Sequence, residues 1–235
     1  LRRSLGRPLI VRDVTVERRS AGRDVSAILQ HVSLVVPPGA VMAVTGPSGA
    51  GKTTLLHVMA GLAVPGAGTV LWGDGAISSL SESERDRWRR DTAGLVFQDF
   101  QLIAELGVLE NILLPIRFDH WRAPKALVDR AMKLAAQVGL DPHVRRVGVL
   151  SRGEQQRLAI ARALVRGPKL ILADEPTASL DAENGARVTE LLIEFARDAQ
   201  ASVVLVSHDS DLLARADQIH RLVGGELQQA AEAVP

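Results

Sequence analysis

A chain of 235 residues, 46% of them hydrophobic, can build one large α/β domain or one domain with a small insert, and its net charge of +1 gives no general electrostatic reason to bind nucleic acid. The absence of cysteine excludes disulfides and thiolate zinc sites and suits a reducing compartment. No apolar run approaches the roughly 18–20 residues that cross a bilayer, and Arg12, Asp13 and Glu17 follow the basic start too soon for a secretory leader, so a soluble cytosolic protein is expected.

Residues 9–17 are β-rich with partial alternation, Arg18 to Ser26 reads as a turn or loop, and Ile28–Val36 reads as a second strand stopped by Pro37-Pro38-Gly39. Two strands here predict an antiparallel flap against the base end of a nucleotide. The apolar strand Val41–Thr45 then runs into Gly46-Pro47-Ser48-Gly49-Ala50-Gly51-Lys52-Thr53-Thr54, and Leu55–Ala60 continues as helix. Strand, glycine-rich turn, Lys-Thr and helix is the order of a phosphate-binding loop. Glycines let successive N–H groups turn toward an anion, and the helix adds its unpaired N-terminal donors. Lys52 can reach the terminal phosphates, and the Thr53 hydroxyl can ligate magnesium.

Pro65-Gly66-Ala67-Gly68 breaks the chain before a strand at Thr69–Trp72, and Ser81-x-x-Glu84 predicts a capping box opening a charged helix to Arg90. Gly94–Gln98 is a short apolar strand with a polar end. From 99 to 150 strand signals nearly vanish. Val108, Leu109, Ile112 and Leu113, then Ala126 to Val138, keep helical spacing, with Pro115, Pro124 and Pro142 as punctuation. The expected organisation is therefore a core of 1–98 and 151–235 with a helical subdomain at 99–150. Ser151-x-x-Glu154 opens another helix, with Leu158, Ala161 and Val165 on one face. Leu170–Ala173 and Val203–Val206 are continuous apolar runs of the kind that lie in a sheet covered on both faces, with an amphipathic helix between them. Alternating strands and helices imply a parallel sheet, with chemistry at the strands' C-terminal ends.

Gln98, Asp174, Glu175 and His208 follow predicted strands at that edge. Asp174 can hold magnesium through water, and Glu175 can take a proton from an attacking water. Gln98 is a candidate contact to magnesium and water, and His208 can reach a γ-phosphate. Asp181 reads equally as an N-cap. Ser151 and Gly153 offer a second helix N-terminus for phosphate. One nucleotide has no obvious use for both helix ends, which points to two chains sharing two nucleotides.

The order of phosphate loop, Gln98, Leu150-Ser151-Arg152-Gly153-Glu154-Gln155-Gln156-Arg157, Ile171-Leu172-Ala173-Asp174-Glu175-Pro176-Thr177, Ser179-Leu180-Asp181 and Ser207-His208-Asp209 resembles the ATP-binding-cassette (ABC) ATPases over essentially the whole chain. Phe97–Leu102, Glu110–Pro115 and the Leu-Ser-x-Gly-Glu form resemble the branch that holds lipoprotein-release and macrolide-exporter ATPases and a cell-division relative. The resemblance implies ATP and Mg2+ as ligands and a head-to-tail dimer. In that dimer Ser151, Gly153 and Glu154 close over the partner's phosphate loop, and Asp181 lies across the interface. Glu175 would polarise the water, His208 would hold the γ-phosphate, and Thr53, Gln98 and Asp174 would serve the metal. It further implies a peripheral subunit on the cytoplasmic face of the cell membrane. There a permease helix would dock between the helical subdomain and the Gln98 loop, coupling ATP-driven closure to transport or to mechanical work.

Two departures stand out. Arg152 replaces the usual first glycine of the signature, and tolerance of it is expected because Ser151 and Gly153 are kept. No aromatic residue precedes Trp72 to stack on adenine, so Arg18 or Arg19, with Arg19 preferred, is the expected substitute through its guanidinium plane.

Overall fold

The computed structural model describes residues 6–19, 25–178 and 180–229. In chain order the elements are β1 (Leu9–Arg19), β2 (Val25–Val36), β3 (Val41–Thr45), α1 (Lys52–Met59), β4 (Ala67–Trp72), β5 (Gly75–Ala76), α2 (Glu82–Thr92) and β6 (Ala93–Val96). There follow α3 (Val108–Arg117), α4 (Lys125–Gln137), α5 (Arg152–Leu164), β7 (Leu170–Asp174), α6 (Ala182–Ala199), β8 (Ser202–Val206), α7 (Ser210–Leu213), β9 (Gln218–Val223) and β10 (Glu226–Gln229).

The strands form two sheets, an antiparallel one in the order β2-β1-β4-β5 and a second in the order β10-β9-β3-β8-β7-β6. In the second sheet β9, β3, β8, β7 and β6 run parallel and only β10 is antiparallel. Alternation along the parallel strands builds two cores. Val41, Ala43, Ile171, Ala173, Val203 and Leu205 face a cluster with helices α3 to α6. Met42, Val44, Leu170, Leu172, Val204 and Val206 face the opposite cluster, with α1 and the antiparallel sheet. That two-sided burial is why the runs at 170–173 and 203–206 carry no polar alternation.

Several boundaries differ from expectation. The flap strands are longer, since Arg18 still pairs with Ser26 where a loop was expected, and β4 joins the flap by pairing with β1. Pro115 lies inside α3 rather than ending it. It sits in the last turn, where the N–H it lacks costs one helical bond, and its carbonyl accepts from Arg166 Nη2 at 2.7 Å. Strands β9 and β10 escape a reading by apolar runs because Gln218, His220 and Arg221 interrupt the first and Glu226 and Gln228 the second, and of the two only β10 lies at the sheet's edge.

Residues 99–150 hold α3, α4 and a short 3-10 turn, and no strand among the described residues. Buried Asn111 organises the entry to this region. Its Oδ1 accepts from the Ile103 N–H at 2.9 Å, while its Nδ2 donates to the carbonyls of Ile103 and Gly107, both at 3.0 Å. A buried amide with its valences filled fixes the loop against α3 more specifically than an apolar residue would.

Candidate active site

The phosphate loop owes its path to two glycines. Gly46 has φ +144, and a Cβ there would stand 2.1 Å from the Leu222 carbonyl oxygen, so β9 leaves no room for a side chain. Gly51 precedes α1 in the left-handed region at φ +99, where a Cβ would lie 2.7 Å from the Ile28 carbonyl oxygen. No side chain caps α1, and no acidic residue sits in its first turn, so the first-turn amides keep their positive end for an anion. Lys52 Nζ donates to the carbonyls of Gly46 at 2.7 Å and Pro47 at 3.0 Å, which holds the ammonium over the loop.

Strands β6, β7 and β8 are parallel neighbours, so their C-terminal ends deliver side chains to one edge. Gln98 follows β6, Asp174 ends β7 with Glu175 after it, and His208 follows β8. These four residues, with Lys52 and Thr53, line one cleft of about 500 Å3. Buried Asp174 accepts a hydrogen bond from Thr53 Oγ1 at 2.6 Å on Oδ2, tying the sheet to α1. Glu175 adopts a left-handed φ of 49°, its N–H donates to the Val206 carbonyl at 2.9 Å, and its own carbonyl accepts from Gln156 Nε2 at 3.0 Å. These bonds to β8 and α5 hold a backbone conformation that a glutamate seldom takes unaided.

Partial burial pushes the Glu175 carboxyl above the usual range, while the nearby His208 and Lys52 charges pull it back down. His208 Nε2 lies 3.6 Å from Glu175 Oε1. A partly desolvated carboxylate beside a histidine and a lysine is arranged to accept a proton next to developing phosphate charge.

Ser151, Gly153, Glu154 and Asp181 are not among the residues that line this cleft in the single chain. Ser151 caps α5, accepting from the Glu154 N–H at 3.3 Å; its hydroxyl at 2.7 Å and its own N–H at 2.8 Å both donate to Glu154 Oε2, and these two donors hold the Glu154 carboxyl below its usual range. Asp181 caps α6 through the Asn184 N–H at 2.9 Å, which with the Asn184 side chain likewise lowers its pKa. Ser179 and the side chain of Arg19 lie outside the described residues, whereas Arg18 and Ile28 line the cleft beside the loop.

A second cleft, of about 490 Å3, opens between α2, α3 and α5, lined by Phe97, Gln101, Leu114, Pro115 and Phe118 with Arg89, Arg90, Arg162 and Arg166. Reading by spacing overlooked buried Arg162, which donates to the carbonyls of Phe100 and Gln101. The signal was present: an arginine next to Ala161 on a helix whose Leu158, Ala161 and Val165 are buried.

A parallel-sheet cleft with a phosphate loop, a buried aspartate, a desolvated glutamate and a histidine defines a nucleoside-triphosphate hydrolase. The ABC transporter family model matches residues 29–178, and the chain belongs to that family as an ATP-binding, ATP-hydrolysing subunit. It is 42% identical over 212 residues to the lipoprotein-releasing system ATP-binding protein LolD 1 of Rhodospirillum rubrum, covering 90% of this chain and 93% of that protein. It is 39% identical over 201 residues to the lipoprotein-releasing system ATP-binding protein LolD of Syntrophotalea carbinolica, covering 85% of this chain and 88% of that protein. Among solved structures, the dimeric post-hydrolysis state of the ATP-binding cassette MJ0796, bound to ADP and Pi, superimposes with a TM-score of 0.90 at 32% identity, covering 97% of this chain and 99% of that one.

Proposed function

We propose that the chain is the ATPase subunit of a lipoprotein-releasing or export-type transporter, working as a head-to-tail dimer beneath membrane-embedded partners on the cytoplasmic face. The observation that carries the ATPase chemistry is the convergence of Lys52, Thr53, Gln98, Asp174, Glu175 and His208 on one cleft. The transporter type draws on the names of the LolD relatives. No described helix is long and apolar enough to cross a membrane, so partners would supply any helical path through it.

The loop N–H groups of Gly46 and of Ser48 to Thr54, with the first turn of α1, bind the β- and γ-phosphates, and Lys52 turns from its loop carbonyls to the phosphate oxygens. Thr53 Oγ1, Asp174 and Gln98 supply hard oxygen donors that fit Mg2+, which when bound would neutralise phosphate charge. Among the described residues no group of three or more His, Cys, Asp or Glu forms a cage, which suits a cation completing its shell with phosphate and water. Glu175 takes a proton from water as the water oxygen bonds to the γ-phosphorus. The bond from that phosphorus to the β–γ bridging oxygen breaks, and ADP and phosphate leave. His208 steadies the γ-phosphoryl oxygens.

Ser151, Gly153 and Glu154 of one protomer, at a capped helix start, close over the phosphates held by the other, and Asp181 lies near the same seam. ATP thus favours closure through contacts that the open pair lacks, and hydrolysis removes the bridging group. Residues 99–150 serve as a helical subdomain whose groove, bounded by α3 and the Gln98 loop, receives a short partner helix. A phosphate-release assay on the chain tests the ATPase. Co-purification of a membrane partner, together with lipoproteins retained in the membrane after depletion of this chain, tests the transporter type.

Two expected results follow from the cleft. With Arg18, or Arg19, rather than an aromatic ring against the base, no donor or acceptor pattern is read, so ATP and GTP should give kcat/KM values within about tenfold of each other. Adenine selectivity well beyond that, unmoved by Arg18→Ala or Arg19→Ala, would count against a guanidinium stack. His208→Gln removes a charge that lowers the Glu175 pKa, so the glutamate protonates sooner on acidification. The acidic limb of the rate profile should therefore move to higher pH, whatever the loss in maximal rate. A limb that stays put would separate the two side chains.

A further inference from the structure

The segment from Phe97 to Gln101 borders both cavities: Gln98 lines the nucleotide cleft, and Phe97 and Gln101 line the groove. Its backbone is held in an unusual shape. Phe100 and Gln101 have φ of 54° and 49°, two consecutive left-handed residues that bear side chains. Such a conformation is disfavoured locally and persists only where outside contacts fix it.

Helix α5 supplies those contacts from two separated positions. Buried Arg162 donates to the carbonyls of Phe100 and Gln101. At the other end of the helix, the Arg152 guanidinium carbon lies 5.6 Å from the centroid of the Phe100 ring, with the ring buried and the arginine exposed. Arg152 is the first residue of α5, where a positive charge opposes the helix dipole. The negative face of an aromatic ring offsets that cost for a cation placed over it.

We propose that Arg152 is a positioning residue: packed on Phe100, it ties the first turn of α5 to the Gln98 loop, so that the loop and the phosphate-capping helix shift as one body. The proposal rests on the reading of α5 as the helix that closes over the partner protomer's ATP. It gives a purpose to the one signature position where this chain departs from glycine. Arg162 anchors the loop whether or not α5 carries a charge at its start; Arg152 adds the link at the end that meets phosphate.

Hydrogen–deuterium exchange on the full chain, read by mass spectrometry, tests the contact without nucleotide. Arg152→Gln should speed exchange of the amides of residues 100–102 by about two- to fivefold, the factor expected for losing an exposed cation–π contact. Residues 155–160 of α5 should exchange as before, and Arg152→Lys, which keeps a cation for the ring, should retain most of the loop protection. Unchanged loop exchange in Arg152→Gln would overturn the proposal, as would an equal rise along all of α5.

Titrating ATP into Glu175→Gln tests the coupling. The Gln98 loop and the first turn of α5 should gain protection at the same ATP concentration. With Arg152→Gln added, the loop should need about two- to fivefold more ATP than the helix. One shared midpoint in the double variant would overturn the coupling. If α5 gains no protection in Glu175→Gln itself, the closed-dimer reading fails and the coupling with it, while the nucleotide-free measurement still judges the contact.

Discussion

Glu175→Gln should bind ATP, lose turnover by about 100- to 10,000-fold, and accumulate a closed dimer. An amide has the shape of the carboxyl it replaces but takes no proton from water, so the loss falls on the chemical step rather than on the fold. In barrier terms this is about 3–5 kcal/mol. The backbone bonds from Glu175 to Val206 and from Gln156 to Glu175 involve main-chain atoms of Glu175 and survive the change. Phosphate release and light scattering with ATP present would read the two halves of the result. Undiminished turnover would remove Glu175 as the base, and a monomer at saturating ATP would remove the shared-nucleotide dimer.

Gly46→Ala should cost about 2–4 kcal/mol of stability and abolish nucleotide binding. The added carbon would meet Leu222 oxygen at 2.1 Å, with the Leu222 carbonyl carbon and nitrogen at 3.1 and 3.3 Å. All three are backbone atoms of a strand paired with β3, so relief requires moving the sheet or the loop. Gly49 provides the control. Its φ is +77, but nothing lies within 4 Å of an added Cβ, so Gly49→Ala should lose only the backbone term of about 1–2 kcal/mol. Urea midpoints of the two variants would separate steric conflict from conformational preference. Equal losses would show that contact with β9 is unimportant.

The remaining structure differs in how much of it could be read from residues in order. The phosphate loop was legible because its chemistry is local. Strand, glycines, lysine and threonine follow one another, and the geometry they need is set by neighbours in the chain. The capping boxes at Ser81 and Ser151 were legible for the same reason, each closing over three residues. The buried strands announced themselves as unbroken apolar runs. Strands β9 and β10 did not: β10 is the sheet's edge and β9 beside it is mostly half-buried, so both carry polar residues. Position before the phosphate loop offered Arg18 or Arg19 for the base, but that Arg18 lines the cleft depends on how the flap crosses the loop.

By itself, the sequence determined the class of chemistry and the order of the parts: a triphosphate loop, two acidic residues ending one strand, a histidine ending another, and a helical stretch between. Those features arise from short-range spacing, which folding does not alter. Only the tertiary structure decided which of them meet. It set Thr53 on Asp174 and Glu175 beside His208, kept Ser151 and Asp181 out of the lining of that cleft, and laid Arg152 over Phe100. Such encounters depend on the order of strands in the sheet and the packing of α5 against β6. Those are outcomes of the whole core, and no single stretch of the chain carries them.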